Sequence, residues 1–505
     1  MEHGDTAQLA AVVGALGAAS VLLGRTRVAL LGGFAALLAA EAGLGYAIAE
    51  GVRLGTILAP AALAAAAVAG ALVAGAAAVL VSRPALVTPL VLAAAPFRLP
   101  LDFDRRHRFF VAIAEGGQLG RLLPLYAVLV AATAALAYRI LRREPVAPLP
   151  TALALPAAAF VAFASLSLLW AIDLPAGTNT LAFFLLPFAV LVAVVARSPF
   201  PDWLPRALAA VGIALASVFA LVGVFQAATR TLFFFSPTVD VANTYSSFFR
   251  VTSLFRDPSL YGRHLVLGIA IVLVTLWLGR LHLVLAAVLI GILFAGLYFS
   301  YSQSSLVALF VVTVLVTAVA GDRRGRQLVT VVAAVLLLAG AGAVAAAIKD
   351  ESVRRATSDR SRRIDTAFEV FRQHPLWGVG LGGQPLASQR NAERFAQKPR
   401  FVSHTTPLTV AGELGLVGLL AYLALLAGAA RTIDAVRRRD PALGLTLAAV
   451  FVALFVHSLF YSGFVEDPIT WVVLGVAAGF IAARAGATEP AAILASRRAA
   501  TASAR

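Results

Sequence analysis

Long apolar runs alternate along this chain with short polar breaks. The runs are roughly 18 to 25 residues long, which matches the hydrocarbon core of a bilayer. They show no period-two alternation and are longer than barrel strands, so they read as membrane-spanning helices rather than as strands of a β-barrel. Spans are expected near 8–24, 28–49, 56–82, 84–97, 123–141, 151–171, 179–196 and 206–226, then 261–279, 281–299, 303–320, 327–347, 405–429, 443–463 and 469–486. The expected fold class is all-α, a polytopic transmembrane helical bundle of about 12–15 spans. Two long polar excursions interrupt it, 227–260 and 348–404, together with a short turn at Tyr301-Ser302-Gln303.

Composition narrows the chemistry. Of 505 residues, 60% are hydrophobic and only 13% charged, and cysteine is absent. That excludes disulfides, thiolate nucleophiles and cysteine-bound metals. The formal charge of +16 falls mostly in loops between spans and tracks membrane orientation; no aromatic-basic module points to nucleic acid. The first apolar run lacks a small-residue cleavage site after it and reads as a retained span. No repeat or soluble domain stands out, so residues 1–486 form one membrane domain, and the Ala-, Ser- and Arg-rich segment 487–505 reads as a disordered cytoplasmic tail.

Arginines set the orientation. Arg323, Arg324 and Arg326 mark one short loop as cytoplasmic, and Arg431, Arg437, Arg438 and Arg439 mark another. Counting spans back from them places 227–260, the Tyr301 turn and 348–404 outside. The same count puts 98–122 outside despite Arg105, Arg106 and Arg108.

Candidate chemistry therefore gathers on that face. The stretch from Phe249 to His264 carries Arg250, Arg256 and Arg263, where the positive-inside bias gives them no reason to be. Planar, permanently charged forks beside a helix start suit diphosphate oxygens, although each could instead snorkel to headgroups or pair with Asp257. Ser302, Gln303, Ser304 and Ser305 form a polar turn whose simplest role is helix capping. Apolar positions 364, 367, 368 and 371 describe an amphipathic helix at the membrane surface, ended by Pro375 and a run of glycines. His404 stands where the last long excursion re-enters the bilayer and can take a proton from a sugar hydroxyl near neutral pH. A histidine at a helix start also serves as a cap. Glu413 lies nine residues on, in the apolar helix that follows, where an ionisable group usually marks function. Asp102-Phe103-Asp104 could hold a divalent metal, or be neutralised by the arginines beside it.

Taken together, Pro375-Leu376-Trp377-Gly378-Val379-Gly380-Leu381-Gly382, the Ser403-His404 pair and Glu413-Leu414-Gly415-Leu416-Val417-Gly418 resemble the O-antigen ligase and O-antigen polymerase superfamily of bacterial membrane glycosyltransferases, over roughly residues 240–465. The resemblance implies a helical bundle with a large extracytoplasmic loop before the motif histidine. It also implies an inverting transfer, without metal or cofactor, from a polyprenyl diphosphate-linked glycan donor. The acceptor would be lipid-anchored, protein or glycan, and the setting the bacterial cytoplasmic membrane. Arg250 then matches the arginine of the first loop motif and His404 the histidine that activates the acceptor. Two positions depart: Gln303 stands where many members carry arginine, and Thr405 where many carry asparagine. Arg256 or Arg263 could supply the missing charge, and Gln303 and Glu413 are the remaining substrate-binding candidates. Ligase and polymerase differ in acceptor, which these residues do not separate. A solute transporter gathering anions with its outer arginines, or a non-catalytic export partner, stays open as an alternative.

Overall fold

A computed structural model describes residues 3–49, 60–97, 122–233, 237–335, 363–391, 403–461 and 463–502. Among them, thirteen helices are long and apolar enough to cross a membrane. Every described regular element is helical. The chain is a multi-pass membrane protein, as the apolar pattern implies. The run at 84–97 forms only the short apolar helix Pro84–Ala94. Of the span expected at 327–347, helix is described to residue 335 and the rest lies outside the described residues. So do most of 98–122, with Asp102 and Asp104, and residues 348–362 and 392–402 of the large loop. The last helix, Pro468–Ala502, continues through the segment expected to be disordered.

One end of the bundle is stitched by arginines from its short loops. Arg27 donates to the Arg143 carbonyl at 3.0 Å, Arg197 donates to the Gly24 carbonyl at 3.2 Å, and Arg484 reaches Asp202 at 3.3 Å. Basic loops of this kind are the ones a membrane protein tends to retain on the cytoplasmic side. The opposite end carries the long polar segments and is called the loop end below.

Two helix distortions shape the bundle, and each follows from the residue that makes it. Pro187, inside the Leu186–Ala196 helix, has no N–H for the carbonyl of Phe183, and the hydroxyl of Tyr126 donates to that carbonyl at 2.5 Å instead. Thr406–Arg439, at 34 residues, would run about 51 Å if straight, well beyond a hydrocarbon core of roughly 30 Å. It breaks at Gly415, whose φ of 64° lies in the left-handed region that glycine alone enters freely.

That break is filled by the glycine-rich loop. The N–H groups of Val379 and Gly380 donate to the carbonyls of Gly412 (3.1 Å) and Glu413 (2.8 Å). Beyond the break, Leu416 and Val417 donate to the carbonyls of Pro375 (2.8 Å) and Leu376 (3.3 Å). Backbone groups orphaned by the kink thus find backbone partners, which an apolar surrounding demands. The approach is so close that a Cβ at Gly378 would sit 2.2 Å from the Glu413 carbonyl oxygen. On its far side the loop meets the hairpin before Leu174: Ile172 donates to Val379 (3.0 Å), and Leu381 donates to the Ser167 hydroxyl (3.0 Å).

Candidate functional site

The first expected cluster, the arginine stretch, folds onto the second, the serine turn. Asn243 brackets Arg250, accepting from its N–H at 2.8 Å and donating to its carbonyl at 3.0 Å. This aims the guanidinium at the Tyr301 turn, where Nε donates to the Ser300 carbonyl at 3.4 Å. Burial pulls the Arg250 guanidinium below its ordinary value, opposed by the negative charge of Asp257; burial acts likewise on Arg256. Both remain charged at neutral pH, since arginine starts so far above it. Asp257 caps the next helix, accepting from Ser259 and Leu260 at 2.7 and 3.0 Å.

Arg263 has a different surrounding. Only 2% exposed, it forms a salt bridge with the equally buried Asp467. Its charge is thereby neutralised inside the bundle and ties the Pro258–Trp277 helix to the start of Pro468–Ala502. Gly262 lets that helix press against the serines, since a Cβ there would lie 2.7 Å from Ser305 Oγ. Ser302 Oγ meets Ser305 Oγ at 2.8 Å and caps the following helix, while Ser304 Oγ meets His457 Nε2 at 3.1 Å. Gln303, between them, is exposed at the loop end.

His404 holds a left-handed backbone conformation, φ 54°, just before the Thr406–Arg439 helix. Its Nε2 contacts the guanidinium of Arg363. Arginine only donates, so a hydrogen bond in this pair has Nε2 as its acceptor. The His404 ring lies 6.2 Å from that of Tyr461, which in turn lies 5.5 Å from His457. A continuous line of side chains therefore runs from Arg250 through the serine turn, His457 and Tyr461 to His404 and Arg363.

Glu413 is buried on the other flank, immediately before the break. The N–H groups of Gly382 and Gln384 face its carboxylate. It lines a cavity of about 420 Å³ with Gln384, Thr409, Thr180, Asn179 and Glu466. Thr406 and Gly463 also line this cavity, placing it beside the segments that carry His404 and Tyr461. A second, larger cavity of about 630 Å³ is mostly apolar and runs between the Leu204–Thr229, Pro258–Trp277 and Pro441–Ser458 helices. Its lining passes from Arg206 and Arg280, toward the end opposite the long polar segments, to Phe219 and His264.

The amphipathic segment is helical over 363–373. Ala367 and Val370 are its fully buried positions, Val370 packing with Val379 and Ala387, whereas Ile364 and Phe368 face outward. Sequence reasoning placed Arg363 on this helix without its tie to His404. His457, Asp467, Gln384 and Glu466 were missed. The first two carried a usable signal, an ionisable residue inside an apolar run and an Asp-Pro helix start. Among the described residues, no set of three His, Asp or Glu side chains converges as metal ligands do.

Comparison with known proteins adds one finding. Residues 286–423 match the family model described as O-antigen ligase, a region that contains the serine turn, the glycine-rich loop, His404 and Glu413. No curated protein matches the chain.

Proposed function

We propose, on the premise that residues 286–423 form an O-antigen ligase domain of a membrane glycosyltransferase, that the protein moves glycan from a polyprenyl diphosphate carrier to an acceptor hydroxyl at the outer face of the cytoplasmic membrane. The observation that carries this reading is the line of side chains that joins Arg250 and the serine turn to His404 and Arg363. It sets a fixed cationic group and a titratable base at one end of an apolar bundle.

In the reaction, His404 Nε2 takes the proton of the acceptor hydroxyl. The acceptor oxygen forms its bond to the anomeric carbon while the bond from that carbon to the diphosphate oxygen breaks. In-line attack inverts the centre, and the polyprenyl diphosphate departs with the electron pair. Negative charge grows on the leaving oxygen, and Arg250 with Arg256 stabilises it more in the transition state than in the ground state. Arg263 acts at one remove, holding the arginine loop against the bundle through Asp467. Arg363 occupies Nε2 before substrate arrives. An incoming diphosphate offers that guanidinium a stronger, charged partner and frees the imidazole for its role as base. The apolar cavity beside His264 suits the carrier's hydrocarbon chain.

The test is transfer by the purified full chain in detergent, with a carrier-linked glycan from the native host and candidate acceptors. His404→Ala is expected to lose about a hundredfold or more of turnover while keeping donor binding, the usual scale of general-base assistance. Normal turnover in that variant removes the mechanism. Longer carrier-linked glycan formed from donor alone would identify the acceptor as another carrier-linked unit, and product that needs an added acceptor would identify a ligase.

A further inference from the structure

The apolar cavity of about 630 Å³ is recessed within the bundle and is not a stretch of its outer surface. Residues that the fold otherwise hides form its walls: Phe219, Val274, Val473 and Val476 are each at most 3% exposed. The threonines in the lining satisfy their hydroxyl protons on their own helices. Thr275 Oγ1 donates to the Ile271 carbonyl at 2.9 Å, and Thr446 Oγ1 to the Ala442 carbonyl at 2.8 Å. At the inner end the His264 ring stacks on Phe255, with 4.7 Å between centroids. Protein interiors are close-packed, and an apolar void of this size forgoes dispersion contacts along its whole wall. In a bilayer, hydrocarbon is the solvent at hand to fill it.

The end of the cavity opposite the long polar segments is charged. Arg206, at the start of Leu204–Thr229, and Arg280, in the turn after Pro258–Trp277, both line it there, and both are exposed. Carboxylates at this end are engaged elsewhere. Asp202 pairs with Arg484 at 3.3 Å, and Asp440 caps Pro441–Ser458, accepting from Ala442 and Leu443 at 3.1 and 3.0 Å. Among the described residues, neither Arg206 nor Arg280 forms a salt bridge. Two guanidiniums over an apolar shaft match a ligand with an anionic head and a hydrocarbon tail. Depth fits as well: from His264 to Leu278 the chain rises about 21 Å, against about 15 Å for the half of a hydrocarbon core that one leaflet supplies.

We propose that this cavity binds an anionic phospholipid of the leaflet at that end, its phosphate held by Arg206 and Arg280 and one acyl chain lying in the shaft. The inference does not depend on the glycosyl-transfer reading. A leaflet-length chain leaves the His264 end of the cavity clear, which is where a carrier chain descending from Arg250 and Arg256 would arrive. Bound there, the phospholipid touches the Leu204–Thr229, Pro258–Trp277 and Pro441–Ser458 helices together and becomes a structural part of the bundle.

Native mass spectrometry of the full chain, released from detergent with dioleoylphosphatidylglycerol or dioleoylphosphatidylcholine, tests the site. One phosphatidylglycerol per chain is expected to be retained at a concentration about thirtyfold below that needed for phosphatidylcholine, the scale of two arginines meeting one anionic head group. Arg206→Gln/Arg280→Gln is expected to erase that preference. Ala209→Phe puts bulk into the shaft and leaves both arginines in place, so it should weaken phosphatidylglycerol retention about tenfold as a few CH₂ groups lose their burial. Arg142→Gln/Arg143→Gln removes the same charge from the turn beside Arg27 and should change nothing. Thermal midpoints confirm that each variant is folded, and Arg280→Gln alone replaces the double variant if that one is not. Equal retention of the two lipids overturns the site. So does full preference in Ala209→Phe, which would leave only head groups gathered at the surface, or an equal loss in the Arg142 and Arg143 variant. Glycerophosphoglycerol, the head group without its chains, is expected not to bind at the same concentrations; binding as tight as the lipid's would mark a free-anion site and overturn the phospholipid.

Discussion

The loop end has two walls, one lined by arginines and one by glutamates, and they are built in different ways. The cationic wall, with Arg250, Arg256 and Arg363, is assembled from side chains: an asparagine bracket, a serine turn and a histidine contact. The acidic wall, with Glu413 and Glu466, is positioned by backbone laid against backbone, the glycine-rich loop filling the break at Gly415. Tyr461 and Glu466 border both, since the Tyr461 ring lies beside His404 while Glu466 lines the cavity. A wall made of side chains can lose a member and keep its shape. A wall made of apposed backbone cannot admit even one extra carbon. Substitutions in the first should therefore register in substrate kinetics, and substitutions in the second in folding.

The strongest challenge to this contrast is Gly378→Ala. Its Cβ would overlap the Glu413 carbonyl at a backbone φ of 67°, so a loss of about 3 kcal/mol in stability is expected, within the range set by strain at special backbone positions. Chemical unfolding in detergent measures it, and a wild-type midpoint would show that the two chain segments are not locked together. Next in size is Arg250→Ala, for which stability should hold within about 0.5 kcal/mol of wild type. Its donor KM should rise about 10- to 100-fold, as expected for one charge-assisted contact. A drop in melting temperature with unchanged donor KM would make Arg250 a structural residue and collapse the contrast. The smallest effect is reserved for Gln303→Arg. The position is exposed at the edge of the cationic wall, so an added guanidinium should tighten donor binding about threefold at low salt and less as ionic strength rises. Weaker donor binding in this variant would place the diphosphate away from the serine turn.

Much of this was readable before any coordinates, for a physical reason. A bilayer demands uninterrupted apolar length, so spans announce themselves, and a polar stretch between spans has nowhere to go but the membrane surface. His404 was conspicuous on that ground, and Glu413 as a charge within an apolar helix. The pairings were not readable. Ser304 and His457 lie 153 residues apart in sequence, Arg363 and His404 lie 41 apart, and the loop at Pro375 binds a helix interior whose break only the fold reveals. Arg263 illustrates the limit most sharply. Its spacing from Arg256 is that of a neighbouring loop cation, yet the helix that starts at Pro258 carries it inward to Asp467. Exposure is a tertiary property, and spacing along the chain does not determine it.

The break at Gly415 also bears on how the protein is made. While the Thr406–Arg439 helix enters the membrane, the carbonyls of Gly412 and Glu413 would face hydrocarbon unmatched unless their partners were already present. Val379 and Gly380 precede them in the chain and so emerge from the ribosome first. A loop synthesised ahead of its helix can wait at the membrane surface as a template, so the order of residues encodes an order of assembly. A circularly permuted chain that supplies the loop last would have to insert this helix with its backbone torn open.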